Sequence, residues 1–259
     1  MRKRTALRSL VDDYGLFLLI LALALLVWES AVRLGWVPAF ILPAPTSIAI
    51  ALAEDGRLLL GVHLAATLKE IGAGFLLSVA GGTALAAAMH GSRTLEKAFY
   101  PFIVISQTVP IIALSPIFIM WFGYTIWSKV AVVFLTAFFP VVVSTYDGLR
   151  KGDREFRELL LTMGASRWDI FRKVQVPAAL PSFFSGLKLS IVYCVVGATI
   201  GEWLGGREGL GYFSRRMSGK LDTDSMFAAV LLLSLLGIVL FAAAACIEKI
   251  ILRRRGIQK

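Results

Sequence analysis

Residues 158–181 read Glu158-Leu-Leu-Leu-Thr-Met-Gly164-Ala-Ser166-Arg-Trp-Asp169-Ile-Phe-Arg-Lys-Val174-Gln-Val176-Pro177-Ala-Ala-Leu-Pro181, and they belong to a polar island that begins at Gly148. The rest of the chain is apolar: of 259 residues, 58% are hydrophobic, and the mean hydropathy is +0.77. Soluble domains do not reach such values, because this much apolar surface needs lipid as its solvent. The composition therefore predicts a membrane protein with one long polar loop.

Six apolar segments are long enough to cross a bilayer, which takes about 20 residues of helix. They predict six transmembrane helices in an all-α fold, at Leu16–Val32, Ala66–Met89, Ala98–Phe122, Trp127–Tyr146, Leu187–Leu204 and Met226–Ile247. The third segment contains Pro101, Pro110 and Pro116, so we expect it to be bent or interrupted. The basic start followed by an apolar run resembles a signal peptide, but further spans follow, and we interpret it as a retained first helix.

Lysine and arginine are distributed unevenly between the segments that link these spans. With the N-terminus inside, 19 of the 27 basic residues fall on the inner side, as the positive-inside rule expects. Both termini and the polar loop are then predicted to be cytoplasmic. The chain divides into a cytoplasmic N-terminus (1–15), a first helix with an outer segment (16–65), a core of five helices (66–251) that includes the loop 148–186, and a basic cytoplasmic tail (252–259).

The polar loop has the pattern of two helices joined by a tight turn. Apolar residues three and four apart predict a helix over Asp153–Met163, and Gly164 follows where such a helix would end. Ser166–Asp169 has the spacing of a capping box, with Asp in place of the usual Glu. We expect a second short helix to run to about Val174 and Pro177 to interrupt the chain after it.

The spacing of three residues in this loop is similar to that of a known family. Glu158 is followed six residues later by Gly164, and nine residues separate that glycine from Val-Gln-Val-Pro, which ends at Pro177. This pattern resembles the EAA loop of ATP-binding-cassette (ABC) importer permeases, on which the permease docks the ATPase that drives it. The usual pair of alanines after the glutamate is replaced here by Leu159 and Leu160.

The resemblance extends over nearly the whole chain. The other motifs are, in order, Ile41-Leu-Pro-Ala-Pro-Thr, the stretch from Pro110 to Pro116 that leads to Trp121-Phe-Gly, Phe139-Pro140, and Gly201-Glu-Trp-Leu-Gly-Gly-Arg-Glu-Gly-Leu-Gly211. They are similar to the nitrate, sulfonate and taurine group of permeases, and Ile200-Gly-Glu-Trp203 resembles the branch assigned to pyrimidine precursors of thiamine. The resemblance implies a type I importer permease fold and a small organic or oxyanionic solute.

The resemblance also implies functional residues and partners. The residues that it assigns to ATPase coupling are Glu158, Gly164, Ala165, Ser166, Trp168, Asp169, Arg172 and Pro177. The implied assembly lies in the plasma membrane of a prokaryote and contains two copies of the chain as a homodimer, two ATPase subunits that bind ATP and Mg, and an extracytoplasmic solute-binding protein. The residues alone leave a second interpretation open, in which the loop is a helical hairpin lying on anionic lipid head groups.

Polar residues within the spans are candidates for the translocation pathway, because an ionisable group in the bilayer costs about 2.5–3.5 kcal/mol. Glu202, near the outer end of the fifth span, is a candidate for a pathway or gate residue; equally, it could reach water at the interface or pair with Arg207. A second candidate is the polar patch in the broken third span, made of Ser106, Gln107, Thr108 and Pro110. Its alternative role is hydrogen bonding between helices.

Several kinds of chemistry are missing from the sequence. It has no G-x-x-x-x-G-K-[ST] phosphate loop, no Ser-His-Asp set and no H-E-x-x-H motif, so we expect a non-catalytic subunit without a cofactor of its own. Cys194, Cys246, His63 and His90 stand alone and predict no metal site. The basic residues form no repeated basic-aromatic face for nucleic acid. Three alternatives are an ion-gradient-driven secondary transporter, a membrane-embedded enzyme and a non-transporting membrane scaffold.

Overall fold

The computed structural model describes the backbone of residues 2–151 and 154–256 and the side chains of residues 15–151 and 158–256. Helices make up nearly all of these ranges, which confirms the all-α prediction. In chain order they are α1 (Arg2–Arg33), α2 (Pro45–Glu54), α3 (Gly56–Gly91), α4 (Arg93–Ser106), α5 (Ile111–Phe122), α6 (Ile126–Arg150), α7 (Arg154–Thr162), α8 (Arg167–Gly205), α9 (Leu210–Gly219) and α10 (Thr223–Arg254).

Among the described residues, five helices are apolar and long enough to cross a bilayer: the part Gly15–Arg33 of α1, and α3, α6, α8 and α10. The third predicted span, Ala98–Phe122, is instead the pair α4 and α5, which are bent by 104° at their junction. Pro110 lies directly before α5 with φ −65°, a value suited to the entry of a helix. The expected interruption is confirmed at Pro110, whereas Pro101 and Pro116 lie inside α4 and α5.

Helix α6 is the central helix of the bundle, and it packs against α3 on one side and α8 on the other. Glycines of the neighbouring helices allow the backbones to approach closely. A Cβ atom at Gly82 of α3 would lie 2.9 Å from Cγ1 of Val141, and one at Gly186 of α8 would lie 2.8 Å from Oγ of Ser144. Such close packing by small residues is typical of helices that associate within a membrane.

The bundle has two ends at which the functional candidates gather. The loop end holds helix α7, the N-terminus of α8 and the C-termini of α3 and α6, as the contacts of His90 with Gln175 and of Gly148 with Ala179 indicate. The far end lies opposite and holds helix α9, the C-terminus of α8 and the N-terminal parts of α3 and α6. Helix α8 therefore reaches from one end of the bundle to the other.

The prediction that Pro177 interrupts the chain is wrong. Residues Phe171–Gln175 form a π-helical turn, and α8 continues through Pro177 to Gly205. In a π-helical turn the hydrogen bonds are shifted by one residue, so the wider turn makes room for the proline ring that would clash with a carbonyl in a regular helix. The predicted second short helix is thus the start of α8. The loop helix expected over Asp153–Met163 is found as α7 from Arg154 to Thr162, and Asp153 lies outside the described residues.

Helix α1 stands at the edge of the bundle. Most apolar side chains of its span Gly15–Arg33 are exposed, Trp28 packs against the core, and the C-terminus of α1 contacts α2. Glu29 makes this contact: it accepts hydrogen bonds from Nε of Arg33 and from Oγ1 of Thr46, both at 2.7 Å. An apolar surface of this extent fits the hydrocarbon of a bilayer, since every backbone polar group is satisfied within the helix.

Candidate functional site

The turn between α7 and α8 is closed by a glycine. Gly164 has φ +86°, the left-handed region in which glycine is favoured, and its N–H donates to the carbonyl oxygen of Leu161 at 3.1 Å. The N–H of Ala165 donates to the carbonyl oxygen of Leu160 at 3.0 Å, so carbonyl groups of the last helical turn are satisfied. The predicted helix end at Gly164 is confirmed.

Helix α8 begins at Ser166 and Asp169, the pair for which the sequence predicts a capping box, and the bond of that motif to the N-cap side chain is present. The N–H of Asp169 donates to Oγ of Ser166 at 3.1 Å, and the hydroxyl of Ser166 donates to Oδ2 of Asp169 at 2.5 Å. Nζ of Lys173 lies 2.7 Å from Oδ1 of the same aspartate, one helical turn later. These local bonds fix the direction in which α8 leaves the turn.

Aromatic residues at the start of α8 form one wall of an open pocket. Trp168 is 67% exposed, and its ring stacks on that of Phe171 with 5.6 Å between the centroids. The loop-end pocket beside them has a volume of about 710 Å³ and is lined by Ala87, His90, Gly91, Arg93, Leu161, Arg167, Trp168, Ile170, Phe171 and Gln175. An apolar wall with a basic rim can receive a side chain of a partner protein.

A hydrogen bond that the sequence analysis missed ties this pocket to the bundle. Nε2 of His90, at the C-terminus of α3, lies 3.1 Å from Oε1 of Gln175, which is buried in the π-helical turn of α8. The signal for it was a lone amide between two valines, two residues before Pro177. The bond joins residues that are 85 positions apart, so no local spacing indicates it.

The polar patch of the third predicted span lies at the bend between α4 and α5. The hydroxyl of Ser106 donates to the carbonyl oxygen of Ile103 at 2.9 Å, and that of Thr108 donates to the carbonyl oxygen of Ile105 at 2.7 Å. Gln107 and Pro110 are exposed beside them. These bonds stay within one helix end, and within the described residues no hydrogen bond joins the patch to Glu202. Its place in the pathway stays a prediction.

Glu202 lies fully buried at the far end, with an exposed fraction of 0%. Oε1 accepts a hydrogen bond from the hydroxyl of Thr67 at 2.6 Å, and Oε2 accepts bonds from the N–H groups of Gly211 at 2.5 Å and Tyr212 at 3.3 Å. The suggestion that this carboxylate reaches water is therefore wrong. So is the suggested pairing with Arg207, since no ion pair joins the two among the described residues. A role as gate residue stays a prediction.

Side chains from α3 and α8 together satisfy the N-terminus of α9. The N–H of Gly209 donates to Nδ1 of His63 at 3.1 Å, and the N–H of Leu210 donates to Oγ1 of Thr67 at 2.9 Å. The N–H groups of the next two residues bond to Glu202, as described above. A carboxylate at this position is favourable because the start of a helix carries partial positive charge. The far-end clasp, defined as His63, Thr67 and Glu202 with the N-terminus of α9, joins three helices.

A second buried carboxyl group lies beside the clasp. Glu70 of α3 is 3% exposed, and its side chain contacts that of Glu202. Nζ of Lys129, at the start of α6, lies 3.7 Å from Oε1 of Glu70 and donates to the carbonyl oxygen of Thr125 at 3.3 Å. This cluster of charged side chains was not predicted from the sequence, because Glu70, Lys129 and Glu202 lie on three different helices.

The described residues contain no group of three or more His, Cys, Asp and Glu side chains that could hold a metal ion. Cys194 is buried in the bundle and Cys246 is exposed on α10, and both are free thiols.

Comparison with known proteins extends these observations. Residues 79–254 match a family model described as "Binding-protein-dependent transport system inner membrane component". A formylaminopyrimidine transport permease of Halalkalibacterium halodurans is 46% identical over 88% of this chain and 91% of its own length. A riboflavin transport system permease of Chloroflexus aurantiacus is 35% identical over 90% and 87%. A putative aliphatic sulfonates transport permease of Bacillus subtilis is 30% identical over 92% and 87%.

Two solved structures share the fold. An amino acid ABC transporter with histidines aligns with a TM-score of 0.62 and 17% identity, over 79% of this chain and 97% of that chain. The methionine ABC transporter MetNI in inward-facing conformations aligns with a TM-score of 0.58 and 21% identity, over 75% and 92%. At these identities the similarity concerns the arrangement of helices.

Proposed function

We propose a solute and a docking site for this chain, which belongs to the family of binding-protein-dependent transport system inner membrane components and is a permease subunit of an ABC importer. It transports a pyrimidine of the thiamine-precursor type, and it is driven by an ATPase docked on the loop 148–186. The observation that carries the solute class is the 46% identity to a formylaminopyrimidine permease over nearly the full length of both chains. A relative named for riboflavin, also a nitrogen heteroaromatic compound, is 35% identical, whereas a relative named for aliphatic sulfonates is 30% identical.

The exposed surface of the loop end supports docking of the ATPase there. Trp168 and the pocket beside it offer an apolar contact, and Arg167 and Arg172 are exposed around it. Aromatic and arginine side chains are the residues that most often dominate the binding energy of protein interfaces. The capping box of Ser166 and Asp169 and the turn at Gly164 would hold this surface in a fixed position, and Glu158, Ala165 and Pro177 belong to the same docking segment.

The remaining parts of the assembly follow from the same proposal. The loop end faces the cytoplasm together with both termini, in the plasma membrane of a prokaryote. Two copies of the chain form the pathway, with Ser106–Pro110 among its lining residues, and an extracytoplasmic binding protein delivers the solute at the far end. ATP and Mg are bound by the two ATPase subunits, so this chain supplies no catalytic group. The alternative of a scaffold that binds the ATPase without transport predicts no uptake.

The test is uptake by the complete complex in proteoliposomes that contain ATP inside and the binding protein outside. We expect ATP-dependent accumulation of radiolabelled formylaminopyrimidine, with unlabelled riboflavin, taurine and nitrate competing less well than the unlabelled pyrimidine. Vesicles loaded with ADP are the control for ATP dependence. Accumulation of taurine or nitrate in preference to the pyrimidine would contradict the proposed solute, and absence of any uptake would favour the scaffold.

A further inference from the structure

The contact between Glu70 and Glu202 brings together two buried carboxyl groups, and Glu70 also borders an open pocket of about 500 Å³. Glu202 already accepts three hydrogen bonds, one from a hydroxyl and two from backbone N–H groups, so both of its oxygens act as acceptors. Oε2 of Glu70 is fully buried and has no hydrogen-bond partner among the described residues, and the side chain of Glu70 contacts that of Glu202. Two ionised carboxylates only accept hydrogen bonds, so this contact would be repulsive unless one of them carried a proton.

The hydrogen bonds decide which carboxyl group holds the proton. A protonated oxygen must donate, and the oxygens of Glu202 are already surrounded by donors. Oε2 of Glu70 has the opposite surroundings, because no donor among the described residues bonds to it. The charges agree with this assignment: among the described residues, Lys129 is the one cation that forms an ion pair with either carboxyl group, so two ionised carboxylates would share a single buried partner.

We propose that the carboxyl group of Glu70 is protonated and donates a hydrogen bond to Glu202, and that this hydrogen bond holds the far-end clasp closed. Glu70 is then a positioning residue: it fixes Glu202, which in turn binds the N-terminus of α9. Loss of the proton would place two negative charges in contact and drive α9 away from α3 and α8. The prediction that Glu202 is a gate residue depends on the transport function proposed above, whereas the proton between Glu70 and Glu202 does not.

The elements packed against the Glu70–Glu202 pair also carry charged and titratable groups. These are His63 and Lys69 of α3, Lys129 of α6, Arg207 and Glu208 of the segment before α9, and Arg216 of α9. His63 accepts the N–H of Gly209 at Nδ1, so protonation of that nitrogen at low pH would also open the clasp. The two groups have opposite pH dependence: protonation of His63 opens the clasp as the pH falls, whereas loss of the proton from Glu70 opens it as the pH rises.

The first experiment detects the proton directly in the purified full-length protein. The infrared spectrum of the wild type minus that of Glu70→Gln at neutral pH should contain the carbonyl band of a protonated carboxylic acid, and the difference between wild type and Lys69→Leu should not. Lys69 is the matched control because it adjoins Glu70 but is exposed. A wild-type spectrum without the band would overturn the proposal.

The second experiment measures how tightly the clasp is held, by hydrogen exchange at the amides of residues 209–212. Glu70→Gln keeps an N–H donor towards Glu202, so its exchange should stay within about twofold of the wild type. Glu70→Leu removes the donor and should raise exchange by about tenfold or more, as expected for losing a hydrogen bond to a charged group. Raising the pH should produce extra opening in the wild type, beyond the intrinsic rise of exchange, but not in Glu70→Gln.

The proposal would be contradicted if the amides of residues 209–212 exchanged equally slowly in Glu70→Leu and the wild type. It would also be contradicted if Glu70→Gln and Glu70→Leu lost protection equally, because the hydrogen-bond donor at residue 70 would then not hold the clasp. If Glu70→Leu does not fold, the pH dependence of Glu70→Gln against the wild type decides the question by itself. Neither measurement needs the solute or the ATPase. A negative uptake result with the pyrimidine would therefore count against the proposed solute and leave the clasp result standing.

Discussion

Each end of α8 carries a carboxylate that accepts hydrogen bonds, but the two carboxylates have different surroundings. At the loop end, Asp169 is half-exposed and bonds to residues three and four positions away, and the neighbouring Trp168 points outwards. At the far end, Glu202 is enclosed, and its partner Thr67 lies 135 positions away in the sequence. The first carboxylate shapes a surface for another molecule. The second holds three helices of this chain together, so equal chemical changes at the two ends should have unequal consequences.

The largest loss of stability is expected at Gly209, where the far-end clasp has no room for a side chain. Gly209 has φ +115°, and a Cβ atom there would overlap the carboxyl group of Glu202. Gly209→Val should therefore cost about 4 kcal/mol or more, through backbone strain and displacement of a buried charge. The measurement is the midpoint of thermal unfolding of the purified protein. Gly219→Val is the matched control, because a Cβ at Gly219 meets open space and its φ is not in the left-handed region.

Removing the carboxylate at each end tests the comparison itself. Glu202→Ala leaves the Thr67 hydroxyl and two N–H groups of α9 without their acceptor, and we expect a loss of about 3 kcal/mol in the free energy of unfolding. Asp169→Ala removes an exposed ion pair and part of a capping box, and the expected loss is about 1 kcal/mol or less. Equal losses in unfolding midpoints would mean that burial does not distinguish the two ends.

The smallest effect on stability, with the clearest effect on binding, is expected at Trp168. Trp168→Ala removes an exposed ring, so the unfolding midpoint should change little, while the affinity for the ATPase should fall by about 2 kcal/mol. The measurement is binding of the purified ATPase to the permease in nanodiscs. Trp36→Ala is the matched control, since Trp36 is 77% exposed but lies outside the loop. If both variants bind the ATPase as the wild type does, the docking surface is elsewhere.

Local spacing was enough to predict much of the loop end. The helix end at Gly164 and the cap that Ser166 forms on Asp169 depend on neighbours within five residues, and the structure contains both. The prediction failed at Pro177, because the rule for proline assumes a regular helix and the π-helical turn before it removes the conflict. The apolar spans were predictable for a similar reason, since their length is set by the thickness of a bilayer.

The far end shows where such reasoning stops. The cost of a charge in an apolar span makes Glu202 a candidate from the sequence alone, but its role depends on the positions of His63, Thr67 and Glu70. These residues reach it only after α3 has packed along α6 and α8. No spacing within one segment encodes that arrangement. The same limit applies to the bond between His90 and Gln175 at the loop end.

The continuity of α8 has a mechanical consequence. Its 39 residues at 1.5 Å per residue give a rod of about 58 Å, nearly twice the hydrocarbon thickness of a bilayer. Trp168 sits at one tip of this rod and Glu202 near the other. If the rod pivots by about 5° around its midpoint, each tip moves by about 2.5 Å. A shift of that size is enough to break a hydrogen bond. A small rotation of α8 caused at one membrane surface can thus break a buried contact at the other.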